Sequence, residues 1–186
     1  MSILHNPYKG DYDHAPEMDK KGRFRDRFFY KGDIYVLPYD ENEKKKTYLP
    51  CVLYGIGMFA ALVVQGMVNQ TSSRTLWVVL PYIIEFLPVI FFLLGVLEYA
   101  LSTPRMTRQQ YDKGIGRMHF CGIAVIVLAI ISMISEVVYL IIRRGQYDIK
   151  LELFYLLLHL PVVIVALLFA KYYNKNFSGI SVESGK

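Results

Sequence analysis

Cysteine and tryptophan are scarce in this chain of 186 residues, with two of the first and one of the second. Two cysteines make no disulfide framework, and the spacing of Cys51 and Cys121 fits no zinc pattern. Both read as small apolar packing residues. The motifs of common enzyme classes are missing as well: the sequence holds no His-Glu-x-x-His, no Gly-x-Ser-x-Gly and no Cys-x-x-Cys. The Gly-Ile-Gly triplet at 114–116 lacks the third glycine and the preceding strand of a phosphate-binding loop. No internal repeat supports the inverted halves of many transporters. The opening MSILHNPYKG has no basic stretch followed by an apolar one, so no signal peptide is expected.

Charge is also missing from long stretches, and that absence is the most informative. Although 20% of residues are charged, they collect at the start and in short connections, while 54% of the chain is hydrophobic. Four apolar runs remain, at 49–68, 76–101, 119–142 and 151–173. A helix needs about 20 residues to cross a hydrocarbon core of about 30 Å, and each run is that long. A soluble globule, a disordered chain and a collagen-like fold are thereby excluded. The expected fold is an all-α membrane protein, a four-transmembrane-helix up-down bundle. A cytoplasmic N-terminal segment at 1–48 precedes the bundle, and a cytoplasmic tail at 174–186 follows it.

The basic residues set the expected orientation. Of 21 Lys and Arg, seventeen lie in residues 1–48, in the 102–118 connection and from Lys171 onward, against four in the two other connections. The positive-inside rule then places both termini in the cytoplasm, in a plasma (inner) membrane. Lys44, Lys45, Lys46, Arg105 and Arg108 stand next to apolar runs and are expected to anchor at the cytoplasmic lipid face. The first 48 residues carry ten basic and nine acidic side chains, which gives no strongly positive face and argues against nucleic acid.

Outside the runs, residues 1–22 mix Pro, Gly and charge without period and read as a mobile tail. Phe28-Phe29-Tyr30 and Ile34-Tyr35-Val36-Leu37 flank Lys31-Gly32-Asp33, a pattern that suits a short β-hairpin. Two strands alone are marginal in water, so this element should lean on a surface or a partner. Ser102-Thr103-Pro104 reads as a helix opening for residues 105–112, with Gly114 and Gly116 ending that helix. Asn69-Gln70-Thr71 matches a glycosylation sequon too short to carry a function.

Ionisable groups inside a span are costly and normally face the bundle interior. Glu85, Glu136 and His159 fall at depths of roughly 13, 9 and 12 Å from the same end of the bundle, at about 1.5 Å per residue. Tyr82, Ser132 and Tyr155 stand three or four residues from them on the same helix faces. Gln65 lies about one turn from that end. Two readings compete for this layer. In one, the carboxyl groups are protonated or paired with His159 and fix the bundle's register. In the other, they line a proton or cation path. Two carboxylates and a histidine are also a feasible ligand set, but the spacing does not specify one, and neither a metal nor a cofactor is assigned. Gly57 and Ala61, four apart, offer a small-residue surface for close helix packing. The functional expectation is a non-enzymatic accessory or regulatory subunit that binds another membrane or cytoplasmic protein. The alternative is a small transporter or channel subunit for protons or cations.

Overall fold

The computed structural model describes residues 7–18 and 24–185. After a single turn at Lys9–Asp11 come strands β1 (Tyr12–Met18), β2 (Phe24–Tyr30) and β3 (Ile34–Val36). Helices α1 (Glu41–Gly66) and α2 (Leu76–Leu101) follow, then β4 (Arg105–Thr107) and the short α3 (Arg108–Tyr111). A π-turn at Asp112–Gly116 joins α3 to α4 (Arg117–Ile142), and α5 (Ile149–Leu157), α6 (His159–Phe177) and β5 (Ser181–Glu183) complete the chain. Four helical segments are long and apolar enough to cross a membrane: Glu41–Gly66, Leu76–Leu101, Arg108–Ile142 and Ile149–Phe177. They pack in the cyclic order α1, α2, α4, α6, each against two neighbours.

Buried positions recur at steps of three and four. On α1 they include Cys51, Gly55, Met58, Leu62 and Gln65, and on α4 Val125, Ala129, Ser132, Glu136 and Tyr139. That spacing puts one stripe of each helix on the bundle axis, as knobs-into-holes packing requires. The outward faces are Leu, Ile, Val and Phe, among them Leu53, Leu97, Ile134 and Leu168. A soluble helix shows the reverse polarity.

Helices approach closely where glycine stands on the stripe. A Cβ at Gly55 would come within 2.5 Å of Leu93, and one at Gly95 within 3.0 Å of the Gly114 carbonyl. The fourth segment breaks at Leu158, between α5 and α6. Pro161 has no amide to offer the Leu157 carbonyl, and its ring crowds the turn before it.

One end of the bundle is closed by a three-stranded antiparallel sheet in the order β4-β3-β5. Tyr35 of the central strand stands opposite Met106 and Val182. Met106 and Leu37 are buried there with Ile115 and Phe177, and Tyr35 stacks on Tyr111 at 4.2 Å between ring centres. The N-terminal segment, the 102–118 connection and the C-terminal tail therefore meet at the same end.

The expected hairpin is corrected. β2 pairs with β1, Tyr12 opposite Tyr30, and β3 pairs with β4 and β5, both far away in sequence. The Asp11 carbonyl takes the amides of both Lys31 and Gly32, and this turns the chain away from β2 instead of folding it back. The expected tail at 1–22 lies outside the described residues at 1–6 and 19–22, and residues 12–18 are strand. The helix expected from Arg105 starts later, because Arg105–Thr107 completes the sheet. Thr107 caps α3 in a reciprocal box with Gln110, while the Ser102 hydroxyl turns back to the Tyr99 carbonyl at 2.8 Å. Gly114 and Gly116 do not end a helix: they lie in the π-turn, where Gly114 lets the backbone pass close to Tyr99.

Candidate functional site: a polar seam away from the sheet

At the end of the bundle opposite the sheet, the interior stripe changes from apolar to polar. Gln65 from α1, Glu85 from α2, Ser132 and Glu136 from α4, Glu152 and Tyr155 from α5, and His159 from α6 are all buried on it. Three contact groups make up the seam.

The Ser132 hydroxyl donates to Glu85 Oε1 and so joins α2 to α4. The Glu136 carboxyl lies beside the Ser72 hydroxyl and the Glu152 carboxyl. Glu152 Oε1 accepts the backbone amides of Thr71 at 2.9 Å and Ser72 at 3.1 Å, which ties α5 to the 67–75 connection. In the third group, Gln65 Nε2 stands 2.8 Å from His159 Nε2, and His159 Nδ1 stands 3.2 Å from the Tyr155 carbonyl. With its proton on Nδ1, the imidazole donates to that carbonyl and accepts from the amide, so both ring nitrogens have partners.

Tyrosines border these groups. The Tyr82 hydroxyl donates to the Leu62 carbonyl at 2.9 Å, and its ring is edge-on to Tyr155, which in turn is edge-on to His159. A cavity of about 300 Å³ opens above them, lined by Gly66, Gln70, Ser73, Tyr82 and Tyr155 among others.

The seam is rich in acceptors and short of donors. Glu85 Oε2, both Glu136 oxygens, Glu152 Oε2, Gln65 Oε1, Gln70 Oε1 and Ser72 Oγ are buried without a geometric hydrogen-bond partner, as is only one other described side-chain atom, Asp11 Oδ2. Buried polar atoms in native proteins are satisfied in the great majority, so a concentration of exceptions in one place calls for an explanation. Protons, water or a donor-bearing ligand would each supply what this seam is missing.

Every residue expected in the layer lies at the seam: Gln65, Glu85, Ser132, Glu136, Tyr155 and His159 fully inside it, and Tyr82 half-buried at its edge. No hydrogen bond joins any two of Glu85, Glu136 and His159 among the described residues. His159 pairs with Gln65 and not with a carboxylate, because Gln65 closes the facing stripe of α1. Glu152, Ser72 and Gln70 escaped notice in the sequence. Glu152 was legible there, since it stands three residues before Tyr155 and seven before His159 on one face. Ser72 and Gln70 belong to a connection, where no periodicity marks them.

Gly57 faces Val165 of α6, whose nearest methyl carbon would lie 3.4 Å from an added Cβ, and Ala61 packs against the core. This small-residue face is therefore used inside the bundle, and the tighter position is Gly55. Among the expected anchors, Lys44 is not exposed. It is buried, its ammonium donates to the Ser102 and Ala100 carbonyls at the end of α2, and it lies 5.2 Å from the centre of the Tyr99 ring. A cation at a helix C-terminus offsets the carbonyl dipoles left without partners. Lys45 and Lys46 are exposed. Arg105 pairs with Glu183 across the sheet, and Arg108 with Asp112 at 3.9 Å, both at the surface.

Among the described residues no three His, Cys, Asp or Glu side chains converge as metal ligands. No protein-family model, no curated protein and no solved structure matches the chain.

Proposed function

We propose that this chain is an integral membrane protein, non-enzymatic, that takes up protons or a small cation in the polar seam. The exterior of the bundle supports the membrane part, since it presents an apolar surface while the ionisable groups of the spans are buried inside. The excess of basic residues at the sheet end orients that end toward the cytoplasm of a plasma (inner) membrane. The seam and its cavity then face the outside. One observation carries the functional part: three buried glutamates and two buried glutamines gather in one half of the bundle, with six of their oxygens lacking a geometric hydrogen-bond partner. Glu136 and Glu152, side by side, form the natural proton-holding pair, because a proton on one gives the other its missing donor.

The experiment is flux into liposomes loaded with a pH-sensitive dye, under an imposed pH or cation gradient. Flux above that of empty liposomes is expected, and Glu136→Gln should abolish it while leaving the protein folded. Equal flux with and without the protein, or full flux in Glu136→Gln, refutes the reading.

A second reading, an accessory subunit that binds another protein, draws on the β1–β2 ribbon. Ile34–Leu37 buries itself against its own chain, but Phe28 and Met18 remain 71% and 60% exposed. Such surfaces mark interaction sites. Phe28→Ser should then remove a partner recovered with the wild-type protein from native membranes in mild detergent. Unchanged recovery would dismiss the ribbon as the contact.

A further inference from the structure

We infer that a second cavity, at the sheet end between the start of α1 and the end of α2, is a headgroup site for an anionic phospholipid. This rests on the reading of the chain as membrane-spanning. The cavity measures about 320 Å³, and Lys44, Lys45, Tyr48, Leu101 and Ser102 contribute to its wall. Its position and its charge both point to a lipid.

Position comes first. Lys44 and Tyr48 stand one turn apart on α1, and Leu101 and Ser102 finish α2. Beyond them the outward faces become apolar at once. Leu49 and Leu53 on α1 and Leu97 and Leu101 on α2 are all exposed, Leu101 at 85%. A molecule held in the cavity by a polar head can lay its chains along these leucines, the arrangement of a phospholipid at a membrane interface.

Charge comes second. Lys44 is 4% exposed, and among the described residues no carboxylate is within ion-pair distance of its ammonium. Its partners are two backbone carbonyls and the face of a tyrosine, which carry dipoles but no full negative charge. Glu41 is exposed on the cavity rim and acts on Lys44 only at a distance. A buried cation lacking a counter-charge is costly, and a headgroup phosphate supplies one. Lys45, exposed beside it, adds a second cation. Basic pockets between membrane helices on the cytoplasmic side are a recurrent setting for acidic lipid headgroups.

The test uses the full chain in vesicles of phosphatidylcholine with added phosphatidylglycerol, either lipid carrying brominated chains that quench tryptophan. Trp77, at the far end of the bundle, is one reporter. Leu101→Trp in a Trp77→Phe background is the other. At position 101 brominated phosphatidylglycerol should be preferred over phosphatidylcholine by about fivefold or more, the factor one lysine contributes near an anionic surface. At Trp77 the preference should be close to one. Lys45→Gln should lower the preference at position 101 severalfold, and Lys44→Met should do so further. If Lys44→Met fails to fold, Lys45→Gln alone still decides. Equal affinities at position 101, or a preference untouched by Lys45→Gln, overturns the site. Loss of the preference on adding inorganic phosphate shows a free-anion site and overturns the lipid assignment. Quenching at both reporters without headgroup preference refutes the site and leaves the membrane reading standing. No quenching at either refutes both.

Discussion

Glu152 holds together two parts of the seam, and its truncation separates them in a measurable way. In Glu152→Ala the amides of Thr71 and Ser72 lose the carboxylate oxygen they share. Ser72 is fully buried, so its amide has no water to turn to, whereas Thr71 is exposed. A buried donor left without a partner costs about 1–3 kcal/mol, and the emptied side-chain volume adds to that. The expected loss is about 2–4 kcal/mol. Glu152→Gln behaves differently. Its carbonyl oxygen keeps both amides, and its NH2 group reaches toward Glu136, whose two oxygens lack a geometric hydrogen-bond partner. That variant should be neutral or more stable by up to about 1 kcal/mol, the net worth of one hydrogen bond. For a chain of this size each kcal/mol moves the thermal midpoint by about 2–4 °C. Thermal unfolding in mild detergent should therefore show Glu152→Ala falling by about 5–15 °C, with Glu152→Gln at or above wild type. A Glu136→Gln/Glu152→Gln cycle should give a coupling of at least about 0.5 kcal/mol, as touching side chains do. If the glutamine variant loses as much as the alanine variant, charge and not acceptor geometry holds this corner, and the hydrogen-bond reasoning is wrong.

Three other substitutions test the rest of the structure. Gly55→Leu should disrupt the α1–α2 contact by about 1–3 kcal/mol or more, while Gly57→Ala meets only ordinary contact with Val165, and size-exclusion profiles should separate the two. Lys44→Met should cost about 1–3 kcal/mol by leaving the end of α2 without its cation, against no measurable loss in Lys45→Met by thermal unfolding. For orientation, single cysteines at exposed Gln146 and exposed Ser184, in a Cys51→Ala/Cys121→Ala background, should be labelled and spared respectively by an impermeant thiol reagent on intact cells. The reverse pattern would invert the assigned orientation. In the β1–β2 ribbon the His14 amide and Lys31 hold the Asp13 carboxyl below the usual aspartate range. Its contribution is present above the ordinary aspartate value and lost as pH falls through the lowered one, so a carboxyl titration followed by NMR should show a midpoint below 3.8.

The four apolar runs were readable because length and hydropathy alone determine them, and their ends shift only where polar residues continue a helix. α1 begins at Glu41 instead of residue 49, since Asp40 caps it by accepting the Glu43 amide and Lys44 finds carbonyls to bind. The interior stripe was readable for the same reason, as period carries it. The sheet was not. Each of its strands has three residues, and each comes from a different part of the chain. Period-2 signal in three residues is negligible, and the pairing depends on where the helices bring their ends. The burial of Lys44 was not legible in a run of three lysines. Lysines next to a span are normally anchors, and of the three only Lys44 faces the stripe, seven residues before Cys51.

The interior hydroxyls of one end and the carboxyls of the other are treated in opposite ways, and this bears on where a proton or cation would be held. At the sheet end the hydroxyls are paired. Thr47 and Tyr39 both reach the Tyr99 hydroxyl, at 2.6 and 3.0 Å, and Tyr172 donates to the Thr47 carbonyl. A satisfied network of this kind fixes a structure. At the other end carboxyl and amide oxygens are buried without geometric hydrogen-bond partners. The fourth span is also broken there, at Leu158. Leu158 separates Glu152 and Tyr155 on α5 from His159 on α6. Breaks in a helix are where backbone angles can change without unmaking a hydrogen-bond ladder. The groups that would hold a proton or cation thus sit on both sides of this joint, next to a cavity. A purely structural layer gains nothing from that placement, whereas a site that must load and release does.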